Sequence, residues 1–346
     1  MQSSVRVRRG PPRPRDRLEG LLGRLAVRLR SCSKALGDPL DSYLHVGTGA
    51  LRIKIDEAPL KRFLEAVKRA RTKSQLERVV ENFSREIQLD YADFASVKGS
   101  PVVPGSSVKG NVRARLELSL VPREGFVSSC LIRASEEPLE PPPRGEEGWR
   151  HFRIWSQALS FDRGPSCDFT EGEGEVCLLC DLFGTAGLQG LVAFDDFIGE
   201  GVRLKPVDLP VGEKLLVAPP GSAFSGAIAF TNLRAWELGL LLYGMGFRGS
   251  RIGKPVLFGK VKYRRYESYA FGVVRYELVR LELAPFSHPL EVGGLRFEPG
   301  SRVGEGLDDL VRALVGLAKD ELGAELLDVD EVSGVEEVNR LERSGP

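Results

Sequence analysis

Histidine, methionine and long apolar runs are scarce in this sequence, and each scarcity argues against a class of protein. Among 346 residues there are three His and two Met. The three His are scattered, so they do not form the acid–base pair typical of many ribonucleases. The longest apolar run, around Leu238–Tyr243, is far shorter than the roughly 20 residues of a membrane span. The Arg-rich N-terminus has no apolar segment typical of a signal peptide, so we expect a cytoplasmic protein that contacts no membrane.

Charge is distributed unevenly, although the net charge is only +1. The first 30 residues contain nine Arg and two acidic residues, whereas residues 305–346 contain twelve acidic and four basic residues. Pro11, Pro12 and Pro14 break regular structure, which favours a disordered, solvated tail over an arm that contacts nucleic acid. We divide the chain into a basic N-terminal arm or first element (1–38), a core (39–285) and an acidic, largely helical C-terminal segment (286–346).

Apolar periodicity predicts short strands mixed with helices. Helices are predicted over 60–67, 76–87, from 108 onward, 234–243 and 307–322. Strands are predicted at 190–197, 213–218, 226–232 and 256–263, and residues 22–30 fit a strand or a short helix. Ser74 and Glu77 form a capping box that separates the first two helices. Because strands and helices do not alternate steadily, the pattern indicates an α+β fold.

The two helices within 57–88 have basic polar faces. Their cations include Lys61, Arg62, Lys68 and Arg69. An ordinary solvated face is the favoured interpretation, and an insertion that faces RNA is the alternative.

Three of the five cysteines are grouped within residues 167–180. Cys177 and Cys180 form a C-x-x-C pair that suits tetrahedral Zn²⁺, and Cys167 would supply a third thiolate. The fourth ligand remains open between His151 and Cys130. A disulfide is disfavoured in the cytosol, and residues 181–184 do not suggest the helix that a redox dithiol usually opens. We therefore predict a closed, structural zinc site.

Four glycine-rich segments, at 45–49, 103–110, 218–226 and 244–261, contain the remaining candidate binding residues. Glycine lets backbone N–H groups approach an anion closely. In 103–110, Ser106, Ser107 and Lys109 add side-chain donors before a helix N-terminus. Arg248, Arg251, Lys254 and Lys260 are interleaved with glycines in the last segment. Because 103–110 lacks the G-x-x-x-x-G-K-[ST] order of a Walker A loop, the set favours an extended polyanion over a single nucleotide.

Five ordered segments match a known series of motifs. They are 44–49 (similar to LHIGxG), 104–113 (IPGSSLKGxxR), 177–184 (CxxCxLFG), 190–196 (GxLxFxDA) and 220–224 (PGTxF). The series resembles that of the RAMP superfamily (repeat-associated mysterious proteins) of CRISPR effector complexes, over roughly residues 40–285. The most similar group is the type III backbone subunit of the zinc-containing kind.

This resemblance implies a modified RRM-like (ferredoxin-like) core with a helical insertion at 57–88, a zinc-bearing lid at 120–184 and a thumb at 200–225. It implies a backbone subunit that binds CRISPR guide RNA, with target RNA, further copies of itself and other effector subunits as partners. The residues expected to contact RNA are His45, Gly47, Gly105, Ser106, Ser107, Lys109, Arg113, Gly246, Arg248 and Arg251.

Subunits of this kind often cleave the target RNA at regular intervals, using an Asp about a dozen residues before the PGSS loop. Asp90 lies at that distance, and Asp93 is the nearby alternative. Either carboxylate could hold a divalent metal ion such as Mg²⁺ and assist attack by a 2′-hydroxyl. The helical insertion at 57–88 departs from the family pattern. The alternative function is a structural guide-RNA-binding subunit without cleavage.

Overall fold

The structure is a computed structural model that describes residues 3–84, 86, 88–132, 140–171, 174–210, 213–266 and 269–343. The helices in these ranges are α1 (Glu57–Arg69), α2 (Lys73–Asn82), α3 (Gly105–Ser119), α4 (Trp149–Ile154), α5 (Ser156–Leu159), α6 (Leu178–Phe183), α7 (Ala235–Gly244), α8 (Leu307–Leu322) and α9 (Glu331–Arg343). The strands are β1 (Ser3–Ser4), β2 (Arg6–Val7), β3 (Leu21–Ser31), β4 (Ser42–Tyr43), β5 (Gly47–Lys54), β6 (Gln88–Phe94), β7 (Ser96–Val97), β8 (Ser100–Val103), β9 (Phe126–Val127), β10 (Phe161–Asp162), β11 (Val192–Phe194), β12 (Phe197–Gly199), β13 (Lys205–Asp208), β14 (Lys214–Val217), β15 (Ala223–Leu233), β16 (Val256–Leu257), β17 (Ala270–Phe271), β18 (Val273–Leu283), β19 (Leu290–Val292), β20 (Leu295–Phe297) and β21 (Arg302–Val303).

The largest sheet has the order β16-β18-β3-β15-β12-β8-β7. Within it β18, β3, β15 and β12 are neighbours, and each pair is antiparallel. The chain passes through α3 between β3 and β12, and through α7 between β15 and β18. This arrangement of four strands and two helices is that of a ferredoxin-like β-α-β-β-α-β unit. The predicted α+β class with an RRM-like core is confirmed.

Strand β3 lies between β18 and β15 in this sheet, and the burial of its side chains alternates. Leu25, Val27 and Leu29 are buried, and the intervening positions lie on the opposite face. The period of two decides between the strand and the short helix that the sequence allowed for residues 22–30. On the opposite face Arg28 pairs with Glu200 at 3.0 Å and with Glu277 at 3.2 Å.

Helices α3, α7 and α8 pack against the buried face of the sheet. Val112, Leu241 and Leu314 belong to the same hydrophobic core. Helices α7 and α8 approach closely at Gly239, where a Cβ atom would lie 1.9 Å from the carbonyl oxygen of Leu314. The acidic C-terminal segment thus contributes to the main core.

A second sheet joins two insertions that lie far apart in the sequence. Its order is β13-β14-β6-β5. The hairpin β13–β14 lies in the segment expected to form the thumb, and β14 pairs with β6 in parallel at Leu215 and Ala92. Helices α1 and α2 connect β5 to β6, so the helical insertion and the thumb share one sheet.

Helices α1 and α2 confirm the two helices predicted for the insertion. Their separation differs from the expected capping box, because Thr72 is the N-cap of α2 and its hydroxyl accepts from Gln75 N at 3.3 Å. No residue of either helix is buried. The pair is held internally by an edge-to-face contact between Phe63 and Phe83, whose ring centroids lie 5.5 Å apart.

Residues 3–19, here called the N-terminal strap, are ordered against the rest of the protein. Strand β1 pairs with β10, and β2 pairs with β9. Arg13 Nε donates to Asp181 Oδ2 at 2.8 Å, and Arg13 also pairs with Glu237. The expectation of a solvated tail is therefore wrong, because the strap pairs with strands of the protein and Arg8, Arg13 and Arg15 bind carboxylates elsewhere in it.

In the part of the chain that the structure describes, no helix combines the length and apolarity needed to cross a bilayer.

Candidate nucleic-acid interface and metal centre

Four segments that are distant in sequence line one open cleft of about 720 Å³, here called the glycine-loop cleft. They lie at 45–47, 92–93, 107–114 and 258–262. Three of them belong to glycine-rich segments singled out in the sequence, and the fourth contains one of the two candidate aspartates. The fold brings them together because β5 and β6 pair, while α3 and the loop after β16 border the same space.

Helix α3 presents one face to this cleft. Ser107, Gly110, Asn111 and Ala114 line it, at the spacing of neighbours on one side of a helix. Asn111 Nδ2 donates to the carbonyl oxygen of Leu257 at 2.9 Å, which ties the helix to the opposite wall. Asn111 was not among the predicted residues, although it lies one turn after Ser107.

The cleft wall formed by residues 258–262 depends on a close approach between the backbones of Gly259 and His45. Gly259 has a φ of +78°, and a Cβ there would lie 2.5 Å from the carbonyl oxygen of His45. Lys260 N donates to that same oxygen at 3.1 Å. Glycine at 259 therefore serves the packing of the two walls against each other.

His45 is fixed inside the cleft wall and is not a cation. It is 1% exposed, and its Nδ1 lies 2.7 Å from the carbonyl oxygen of Leu216, to which it donates. Burial lowers the pKa of His45 below its ordinary value, so the ring is neutral near pH 7. A Cβ at Gly47 would lie 2.9 Å from His45 Nε2, which accounts for glycine at that position.

Two lysines give the cleft its positive charge. Lys260 Nζ lies 3.0 Å from Glu213 Oε2, at the turn of the β13–β14 hairpin. Lys262 has no carboxylate partner among the described residues, and burial lowers the pKa of its ammonium group. Lys262 was not predicted, although it follows the basic, glycine-rich segment 244–261 immediately.

Asp93, one of the two candidate aspartates, lies in this cleft. Asp93 Oδ1 accepts from Phe94 N at 3.0 Å. It is the only acidic residue in the described lining. The side chain of Asp90 lies outside the described residues.

Other predicted RNA contacts in 103–110 lie outside the cleft lining. Gly105 is the first residue of α3, and its N–H donates to Asp196 Oδ1 at 2.8 Å. A Cβ at Gly105 would lie 2.1 Å from the carbonyl oxygen of Phe194. Gly105 therefore serves close packing within the protein, and its N–H is already bonded. Ser106 is exposed, and Lys109 is partly buried without an acidic partner in the described ranges.

Arg113 faces the interior of the protein, and its contact with RNA stays a prediction. Its Nε lies 2.7 Å from Glu117 Oε1, and its Nη1 donates to the carbonyl oxygen of Gly184 at 2.6 Å. Its Nη2 lies 3.1 Å from Cys180 Sγ. These contacts use three of the five N–H donors of the guanidinium.

The residues predicted at 246–251 are likewise absent from the cleft lining. Arg248 Nε donates to Asp328 Oδ1 at 3.0 Å, and its guanidinium carbon lies 3.5 Å from the ring centroid of Tyr243. Gly246 is buried with a φ of +94°. Arg251 is exposed, and its N–H donates to Asp308 Oδ1 at 2.7 Å. Arg248 and Gly246 serve packing, and Arg251 N–H is bonded.

Cys130, Cys167, Cys177 and Cys180 form a second candidate site, here called the tetracysteine cluster. All four are buried, and their Sγ atoms lie within 4.8 Å of one another. Cys130 thus occupies the fourth position that the sequence left open. His151 is not part of this cluster, because its Nδ1 lies 2.7 Å from Tyr263 Oη, and burial lowers its pKa to about 4.

The cluster fits a tetrahedral metal ion. Zn–S bonds of about 2.3 Å place sulfur atoms about 3.8 Å apart in a tetrahedron. Cys130 Sγ lies 3.5 Å from Cys180 Sγ and 3.7 Å from Cys177 Sγ, and all five cysteines of the chain are free thiols. Hydrogen bonding to Cys130 lowers the pKa of Cys177 below its ordinary value. Four thiolates complete a closed site with no position for substrate.

The local structure around the C-x-x-C pair differs from expectation in one respect. Cys177 is the N-cap of α6, so the pair does open a short helix. The sulfur geometry, rather than the absence of a helix, therefore argues for a metal site over a redox dithiol. The metal itself is not identified by these contacts.

Comparison with known proteins gives the family of the chain. No curated protein shows significant similarity to it. The crystal structure of Csc2 from Thermofilum pendens has a TM-score of 0.36 and 12% sequence identity, covering 95% of this chain and 91% of that chain. Residues 40–319 match the family described as the RAMP superfamily, which is well over half of the sequence. The chain therefore belongs to the RAMP superfamily.

Proposed function

We propose that the chain is a guide-RNA-binding backbone subunit of a type III CRISPR effector complex. The observation that carries this proposal is the convergence of four distant segments on one cleft with two lysines. Membership of the RAMP superfamily supports it independently. The partners are a CRISPR guide RNA, target RNA, further copies of the chain and other effector subunits.

The chemistry of the cleft suits single-stranded RNA. Lys262 provides charge for phosphates, and Lys260 would exchange its partner Glu213 for a phosphate. Ser107 and Asn111 provide polar side chains on the facing helix. The cleft is open to solvent, as binding of a long chain requires. Backbone phosphates supply most of the affinity in such complexes and make it depend on salt.

The hairpin β13–β14 is the proposed thumb that interrupts the guide–target duplex. Two contacts fasten it to the cleft: Leu216 with the His45 ring, and Glu213 with Lys260. A hairpin held at this border can separate paired bases that enter the cleft.

Neutralising the cleft lysines tests guide binding. We expect Lys260→Gln with Lys262→Gln to weaken guide binding uniformly across sequences and to reduce the salt slope by about 1 per lysine. Titrations of labelled guide RNA at several salt concentrations measure both quantities. Lys319→Gln, on α8 outside the cleft lining, is the matched control. An unchanged slope in the double variant would contradict binding in this cleft.

For cleavage of the target RNA, Asp93 is the aspartate that the cleft supports. Its carboxylate could hold a divalent ion such as Mg²⁺ beside a phosphate, while the remaining ligands come from RNA and water. The ion would stabilise the charge that develops when a 2′-hydroxyl attacks. The closed tetracysteine cluster would hold structural Zn²⁺ and take no part in this step.

Replacement of each aspartate tests this assignment within the assembled complex. We expect Asp93→Asn to abolish Mg²⁺-dependent cleavage of target RNA and to leave guide binding intact. Asp90→Asn is compared directly, and Asp309→Asn on the exposed surface of α8 is the control. Full cleavage by Asp93→Asn would contradict the assignment, and loss of cleavage in Asp90→Asn alone would transfer it to Asp90.

A non-catalytic guide-binding subunit is the second candidate function. The observation that favours it is the presence of a single acidic residue in the described cleft lining. One carboxylate gives a divalent ion a weak anchor before RNA arrives. This function predicts guide binding that depends on the cleft lysines, with no cleavage that depends on either aspartate.

A further inference from the structure

We propose that Arg9 and Arg113 belong to the metal centre, where they neutralise the metal-bound thiolates, and that the loaded centre fastens the N-terminal strap to the protein. The proposal extends the structural metal centre of the tetracysteine cluster and does not depend on RNA binding.

Two arginines that are far apart in sequence reach two different sulfur atoms. Arg9 Nε lies 3.4 Å from Cys167 Sγ, and its Nη2 donates to the carbonyl oxygen of Pro165 at 2.9 Å. Arg113 Nη2 lies 3.1 Å from Cys180 Sγ. Each guanidinium is held by a second acceptor, so both are fixed in the orientation that donates to sulfur. Outer partners of this kind orient metal ligands and tune them.

The charges around the cluster balance when a divalent metal ion is bound. Four thiolates around such an ion leave two negative charges, and Glu117, beside Arg113, adds a third. Arg9 and Arg113 offset two of them. Arg163, which is 2% exposed and donates to the carbonyl oxygen of Ser129 at 3.1 Å, offsets the third next to Cys130. A buried charge without such partners would be strongly unfavourable.

The N-terminal strap is attached to the metal-binding segment at three points. Arg9 contacts Cys167 directly. Gly10 and Val176 exchange two backbone hydrogen bonds of 3.1 and 2.8 Å, just before Cys177. Arg13 and Arg15 both bind Asp181, which follows Cys180. The N-terminal strap is therefore attached to residues 167–181, and we expect the folding of this segment to depend on the bound metal.

Metal loss is expected to release the strap. The segment between Cys167 and Cys177 contains no helix in its described residues and is closed by the cluster at both ends. Metal binding commonly supplies the free energy that folds such segments. Without the ion, nothing holds Cys167 in place as the partner of Arg9.

The test uses the full-length protein, loaded with Zn²⁺ or stripped with a chelator, and limited digestion with trypsin. We expect stripping to speed cleavage after Arg6 and Arg8 by about 10-fold or more, as local order is lost. Mass spectrometry of the fragments locates the cuts, and circular dichroism verifies that the core remains folded.

Variants at Arg9 separate charge neutralisation from simple packing. We expect Arg9→Gln to weaken Zn²⁺ binding about 10-fold in competition with a chromophoric chelator, and to shift the thiolate charge-transfer band of the Co²⁺-substituted protein. Arg9→Lys should restore much of the affinity. Arg17→Gln is the matched control, because this arginine of the same strap pairs only with Glu19 in the described structure and is 68% exposed. Arg113 is less suitable, since it also holds Glu117 and Gly184.

The outcomes distinguish this proposal from the others. Equal cleavage of loaded and stripped protein, or wild-type metal affinity in Arg9→Gln, overturns the proposal and leaves the metal centre standing. A protein that takes up no Zn²⁺ or Co²⁺ overturns both. Neither result bears on guide binding, which is measured separately through the cleft lysines.

Discussion

At the scale of single residues, two glycines of one short motif have opposite surroundings. Gly105 lies against the backbone of residues 194–196, where a Cβ would lie 2.1 Å from a carbonyl oxygen. Gly110, five residues later in the same helix, has nothing within 4 Å of an added Cβ. The first glycine is required by packing, whereas the second is not.

This difference predicts opposite effects of the same substitution. We expect Gly105→Ala to lower the free energy of unfolding by about 1–3 kcal/mol, because the backbone of α3 must shift. Gly110→Ala should raise it by about 0.5–1 kcal/mol, because alanine favours the helix and meets no obstacle. Urea unfolding at neutral pH measures both. Equal effects, or unchanged stability of Gly105→Ala together with weaker RNA binding, would contradict the packing role.

Arg113 shows why residue roles were the hardest part to predict. Its position in a PGSS-type motif suggested RNA, but its partners Glu117 and Cys180 decide its role. Cys180 lies 67 positions away, so no local pattern could reveal the contact. Cys130 was left as an alternative to His151 for the same reason. Its place in the cluster depends on tertiary folding that brings it next to Cys167, Cys177 and Cys180.

At the scale of elements, α3 serves two sites at once. One face lines the glycine-loop cleft with Ser107 and Asn111, and the other side brings Arg113 to the tetracysteine cluster. The two sites therefore share a rigid helix. The sequence predicted this helix from residue 108 onward, but it begins at Gly105, so residues 105–110 form its first turns. The division of its faces depends on tertiary packing.

The helical pair α1–α2 is expected to contribute little to the stability of the fold. Neither helix has a buried residue, and the flanking strands meet in register at Lys54 and Gln88. We expect that replacing residues 55–87 with an Asn-Gly turn changes the free energy of unfolding by less than about 1 kcal/mol. The solvated-face interpretation also predicts unchanged guide affinity.

Thermal and urea unfolding of this shortened protein, with guide titrations, measure both expectations. Loss of a cooperative transition would contradict the structural independence of the pair. Weaker guide binding with a smaller salt slope would instead favour the insertion that faces RNA.

At the scale of the whole molecule, the fold class followed from periodicity and the family from ordered motifs. The pairing of β14 with β6 could not be predicted from the sequence, because residues 215 and 92 are far apart and no local pattern indicates that they pair. The order of the N-terminal strap was not predicted either. A run of arginines indicates a solvated segment unless its carboxylate partners are known. Three of the four cleft segments overlap glycine-rich segments of the sequence, whereas Arg248 pairs with Asp328 outside the lining and Lys262 lies within it.

The central claim is that guide RNA lies in the glycine-loop cleft, and crosslink mapping tests it most directly. Guide RNA substituted with 4-thiouridine is bound, irradiated and digested, and crosslinked peptides are identified by mass spectrometry. We predict crosslinks in segments 45–47, 92–93, 107–114 and 258–262, and their loss when Lys260 and Lys262 are neutralised. Crosslinks confined to the open face of β3, or spread without preference over the surface, would contradict the claim.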